Sequence, residues 1–157
     1  MISSNLRLGI FLFLLLVSQF LINNFTIFYV DFFGILLIVS LMSGAYSWSK
    51  MVMFSLLADI FGHWYLGTHL VSIVIISFMV HNLVNFYRMC GWFQRTLVTN
   101  VFFIVMKLVI FVIDAILSRT YVSINSLIFE IVICMPIIQL VLEKIIIKRT
   151  SEFVWYD

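Results

Sequence analysis

FSLLADIFGHWYLGTHL, residues 54–70, decides how the chain is read: an apolar run takes in one carboxylate at Asp59, breaks at Gly62 and Gly67, and gives way to a second apolar run. Around it the 157-residue chain is 64% hydrophobic and only 10% charged, with a mean hydropathy of +1.21. No water-soluble domain of this size has interior enough to hide so many apolar side chains, so the solvent for most of them is a bilayer. A helix needs about 20 residues to cross the hydrocarbon, which leaves material for five or six spans and almost none for a soluble domain. Lipid also dictates helix, because open strand edges would leave backbone groups unpaired.

The expected fold is therefore all-α, a polytopic bundle of six transmembrane helices over residues 1–149 followed by a short cytoplasmic tail, 150–157. The spans are placed at residues 8–28, 32–46, 49–61, 67–87, 93–117 and 126–147. The second and third are too short to cross upright and read as a helical pair dipping into the membrane or packing under longer neighbours. The alternative joins the third and fourth into one broken span. Charge placement favours six crossings. Arg7, Lys50, Arg88, Arg95, Lys144, Lys148 and Arg149 then share one side, Arg119 falls on the other, and Lys107 lies within a span. By the positive-inside rule both termini are cytoplasmic and the corner from Asp59 to Thr68 faces outward. Trp155 and Tyr156 in the tail suit an interfacial anchor. No small-x-small cleavage site follows the first apolar run, which is read as a retained span. Cys90, in a loop, and Cys134, within a span, do not form a disulfide framework.

Polar residues inside the spans are expected to face inward. Thr96, Asn100, Lys107, Asp114 and Ser118 recur at spacings of 4, 7, 7 and 4 on one helix face. Ser77, His81, Asn85 and Arg88 form a second stripe. A hairpin turning near Tyr121 to Ser123 would bring Asp114 and Glu130 to similar depth, giving Lys107 three candidate carboxylates in Asp114, Glu130 and Asp59. Such a cluster of Asn100, Lys107, Asp114 and Glu130 fixes helix register, conducts protons or ions, or meets another protein's helix; the first is the expectation. Asp59 and His63 are four residues apart with His69 near in sequence, but Gly62 is expected to end the helix between the first two. A hydrogen-bonding corner of Asp59, Gly62, Leu66, Gly67 and His69 is preferred to a metal site. No metal, cofactor or catalytic motif is indicated: there is no Cys-x-x-Cys, His-Glu-x-x-His, Gly-x-Ser-x-Gly or phosphate-binding glycine loop.

The order of Asp59, Gly62 and Leu66-Gly67 leading into a long apolar helix resembles the signature region of MreD, the bacterial rod shape-determining protein family. Phe28-Tyr29-Val30-Asp31 before FFGILLIVSLM is similar to that family's approach to its second span. The resemblance implies a fold like the S components of energy-coupling-factor transporters, located in the bacterial cytoplasmic membrane. It also implies a non-enzymatic scaffold of the cell-elongation machinery supporting peptidoglycan synthesis. The implied partner is MreC, with MreB and the RodA glycosyltransferase and transpeptidase pair engaged indirectly, and no nucleic acid. The competing expectation is a small-molecule-binding S component. Against it, the first span has no alanine and only Gly9 and Ser18 as small residues for docking a transporter.

Overall fold

The computed structural model describes residues 4–26, 29–44, 48–62, 65–80, 83–117 and 124–150. Among these every element is helical: α1 (Ser4–Phe25), α2 (Phe32–Ser43), α3 (Trp48–Phe61), α4 (Thr68–Val80), α5 (Val84–Met89), α6 (Trp92–Ile116), α7 (Ile124–Phe129), a π-helical turn (Glu130–Cys134) and α8 (Met135–Thr150). Two helices, Trp92–Ile116 and Ile124–Leu142, are long and apolar enough to cross a membrane by length and composition; Gly9–Phe25, Phe32–Ser43 and Thr68–Val80 are shorter apolar helices.

The molecule is apolar outside and carries polar side chains within its apolar core. Phe13, Phe78, Phe93, Leu108, Ile116 and Val132 are exposed, whereas Gln19, Asp31, Asp59, His69, Glu130 and Gln139 are buried. This inversion suits an exterior bathed by lipid.

At the centre stands α2, which packs against α1, α3, α4, α5, α6 and α8. Its residues from Phe32 to Ser40 are all buried, as a helix without a polar face requires. Around it Phe103, Met106, Ile73 and Met135 complete the core, and Phe33 stacks on Phe61 of α3 with centroids 6.2 Å apart. Its C-terminus closes on Gly44 at φ +64°, a left-handed cap that glycine adopts without strain.

The expected spans need three adjustments. The segment 67–87 divides into α4 and α5, with the Leu83 N–H reaching back three residues to Val80 at 2.8 Å and tightening the turn. The last span begins at Ile124 and widens at Glu130, where the Met135 N–H reaches back five residues to the Glu130 carbonyl. Pro136 explains the position: its ring would press on the carbonyl four residues earlier, and a π turn just before it opens that space. The first helix ends at Phe25, earlier than residue 28. His63, His81, Ser118, Arg119, the turn at Tyr121 to Ser123 and the tail 151–157 lie outside the described residues. Cys90 and Cys134 are buried thiols.

Gly34 sits where α2 meets α6. A Cβ there would strike the Asp31 carboxylate and the Met106 methyl, which stands 2.7 Å away. Gly34→Ala is expected to lower stability by about 1–3 kcal/mol, the usual cost of overpacking. Gly9→Ala, with nothing within 4 Å, is expected to be neutral or slightly stabilising in unfolding titrations in detergent.

Candidate functional site

The site begins with Asp31, the first carboxylate in the chain and the residue before α2. A helix beginning inside an apolar bundle has amide N–H groups with no intrahelical partner. The Asp31 Oδ1 accepts the Gly34 N–H at 2.7 Å. Gln19 of α1 reaches across, its Oε1 accepting the N–H groups of Phe32 and Phe33 at 3.0 and 3.3 Å. The stretch ahead is tied in the same way. Asn23 exchanges two hydrogen bonds with the Val30 backbone, at 2.7 and 3.0 Å. The Tyr29 N–H donates to Ser126 Oγ at 2.9 Å, and the Asp31 N–H donates to Glu130 Oε1 at 2.6 Å.

Asp59 does for α4 what Asp31 does for α2, but from a different helix. Its Oδ2 accepts the Gly67 N–H at 2.5 Å. Its Oδ1 accepts the Thr68 hydroxyl at 2.7 Å and the His69 N–H at 3.0 Å. Gly67 turns the chain at φ +99°, a conformation that would strain any other residue. Gly62 ends α3, its N–H on the Ala58 carbonyl at 2.8 Å.

His69 joins the two carboxylates. Its Nδ1 lies 2.7 Å from Asp59 Oδ1 and its Nε2 lies 2.7 Å from Asp31 Oδ2, all fully buried. A neutral imidazole has one N–H; with a carboxylate on each nitrogen the ring is the imidazolium, donating from both. Asp31 Oδ2 also receives Lys107 Nζ at 3.2 Å, and the same ammonium donates to Glu130 Oε1 at 3.1 Å. Lys107 lies over the Phe103 ring, 5.2 Å from its centroid. Asp59, His69, Asp31, Lys107 and Glu130 thus form one continuous chain of charged hydrogen bonds through the bundle.

The residues expected from the sequence are distributed as follows. Asp59, Gly67 and His69 converge at the corner; Leu66 points outward, 72% exposed, at its tip. Lys107 and Glu130 meet. Asn100 and Asp114 stand about two turns to either side of Lys107 along α6, so the expected intramembrane cluster is centred on Lys107 and Glu130 rather than shared among all four. Asp31 holds the place for which Asp59 and Asp114 were candidates: the oxygens of Asp59 are taken by Gly67, Thr68 and His69. Corner and intramembrane cluster, read separately from the sequence, are one network joined through Asp31.

Asp31, Gln19, Asn23 and Ser126 were not foreseen as site residues. The signal for Asp31 was an isolated carboxylate immediately before an uninterrupted apolar run, the pattern of an N-cap. A second buried polar layer also went unread: Gln139 Nε2 and Thr99 Oγ1 both donate to the Tyr87 hydroxyl, at 3.3 and 3.4 Å. The Arg95 guanidinium lies over the Tyr87 ring and donates to the Tyr87 carbonyl at 3.1 Å.

Among the described residues no set of three or more His, Cys, Asp or Glu side chains stands in a metal-holding arrangement. The nitrogen of His69 that would face a substrate in an Asp-His pair is occupied by Asp31. Comparison with protein-family models, with curated proteins and with solved structures returns no match.

Removing a cation from this network strands buried carboxylates. Lys107→Leu and His69→Phe are each expected to cost about 3–5 kcal/mol. Leu66→Ala, on the exposed tip, is expected to leave the unfolding midpoint in detergent unchanged.

Proposed function

We propose that the protein is a non-enzymatic, multi-pass scaffold of the bacterial cytoplasmic membrane, of the MreD kind. In this reading six helical segments enter the bilayer, both termini are cytoplasmic, and the outward corner around Leu66 and Gly67 receives the single span or juxtamembrane segment of MreC. Through MreC the scaffold acts on MreB and on the RodA and transpeptidase pair that build peptidoglycan during elongation.

One observation carries the reading. Of the residues on which the resemblance rests, Asp31, Asp59 and Gly67 meet through side chain or backbone in the buried network. Residues spent on holding a corner in one shape serve a docking surface better than a turnover site, and at this corner Asp59, Thr68 and His69 are committed to the fold. The exposed Leu66 offers an apolar contact on that corner.

Depleting the protein in its native cell is expected to round the cells, and the tagged protein is expected to co-purify MreC. Asp59→Ala or Gly67→Leu should reduce MreC recovery while the protein still inserts. Leu66→Ala, which leaves the network intact, separates contact from folding. Normal cell shape together with lost vitamin uptake would move the assignment to an S component. Unchanged MreC recovery in all three variants would remove the corner from the interface.

A further inference from the structure

The charges in the buried network do not balance. Asp31, Asp59 and Glu130 supply three carboxylates; Lys107 and the doubly bonded His69 supply two cations. With every carboxyl ionised, these five linked groups would carry one net negative charge in a buried interior, which disfavours it strongly. A buried group in that position neutralises itself by holding a proton.

Donor placement says which group holds it. Asp59 accepts four hydrogen bonds, from Gly67, Thr68 and twice from His69. Asp31 accepts three, from Gly34, His69 and Lys107. Each is surrounded as a carboxylate is. Glu130 accepts two, from the Asp31 N–H and Lys107, and both arrive at Oε1. Among the described residues no donor reaches Oε2 beside these two at Oε1. A neutral carboxyl group has this asymmetry: its carbonyl oxygen accepts, and its other oxygen carries hydrogen.

We infer that Glu130 is a proton-binding site within the bundle, holding one exchangeable proton on Oε2 at neutral pH while Oε1 accepts from Lys107 and the Asp31 backbone. The groups facing it are Lys107 from α6, Asp31 and Tyr29 from the stretch before α2, and Cys134 on its own π turn, with Asp114 further along α6 beside Tyr29. Loss of the proton sets Glu130 against Asp31 for the single ammonium of Lys107, and so loosens the π turn from the start of α2. Proton occupancy is thereby linked to how the last helix seats on the central one. The inference stands on the network's charge count and does not depend on the scaffold reading.

The test is infrared spectroscopy of the full chain in lipid nanodiscs at neutral pH. A carboxylic acid C=O band is expected that shifts in D2O and shifts again when glutamate carries 13C at its side-chain carboxyl. The band is expected to vanish in Glu130→Gln, which separates Glu130 from Glu143 and Glu152; a band that persists there overturns the assignment. Absence of the band, or a band that moves under aspartate labelling instead, overturns the assignment. Glu130→Gln keeps the accepting carbonyl and replaces the O–H with N–H. It is expected to match the wild type in thermal stability at neutral pH and to lack the wild type's loss of stability on alkalinisation. A Glu130→Gln protein markedly less stable at neutral pH, or one that follows the wild type's alkaline profile, also overturns it.

Discussion

The structure depends on one imidazole ring. His69 places a proton at each of two carboxylates that belong to different helices, at 2.7 Å on either side, with all three side chains fully buried. Asp59 arrives from the end of α3 and Asp31 from the start of α2, while His69 itself belongs to α4. Three helix ends are thus located by one rigid planar group. Each ring hydrogen bond is charge-assisted, and each draws strength from a low dielectric that would penalise any member left alone. Such a network contributes less to net stability than its short distances suggest, since desolvation offsets much of the attraction. Its larger effect is on specificity: any slip in helix register leaves a charge unpaired.

The reason for charge in this interior lies in where α2 begins. Its first residues, Phe32, Phe33 and Gly34, are buried. Their N–H groups have no intrahelical partner and cannot be left to water. Gln19 and Asp31 satisfy the first three of them, and the helix dipole favours a negative group at that end. A buried anion then demands buried cations, and α4 and α6 deliver His69 and Lys107. Gly34 follows from the same requirement, because only the absence of a side chain lets the Asp31 carboxylate fold back over the first turn. The chain of necessity runs from a buried helix start to a glycine, an acid, a histidine and a lysine.

Part of this was legible in the sequence and part was not, for physical reasons. Hydropathy marks helices in an apolar chain because lipid leaves the backbone few alternatives, so the all-helical character and the break at Gly62 and Gly67 could be read directly. The spacing along α6 put Thr96, Lys107 and Asp114 on one face, and the helix turns that face inward. Pairing was less accessible. Periodicity places a side chain on a face but says nothing about which helix lies opposite, and Asp31 is 76 residues from the lysine it meets. Gln19 and Asn23 carry no charge and sit in an apolar segment without a distinctive pattern, so their service to the α2 backbone is a purely tertiary fact. The π turn was hidden because Pro136 announces a disturbance without saying which form it takes.

The two buried polar layers give the bundle unequal ends. Passing from Asp31 to Ser40, from Lys107 to Thr99 or from Glu130 to Gln139 covers eight or nine residues, about 12 to 14 Å along each helix. At one end the bonds are ionic and span 2.5 to 3.2 Å. At the other the bonds to the Tyr87 hydroxyl are neutral and longer, 3.3 and 3.4 Å, and the Arg95 guanidinium reaches the Tyr87 carbonyl at 3.1 Å. Within the ionic layer Glu130 is the sensitive point: of the three carboxyl groups there it is the one with fewest donors, and a change in its charge reaches the central helix through one ammonium.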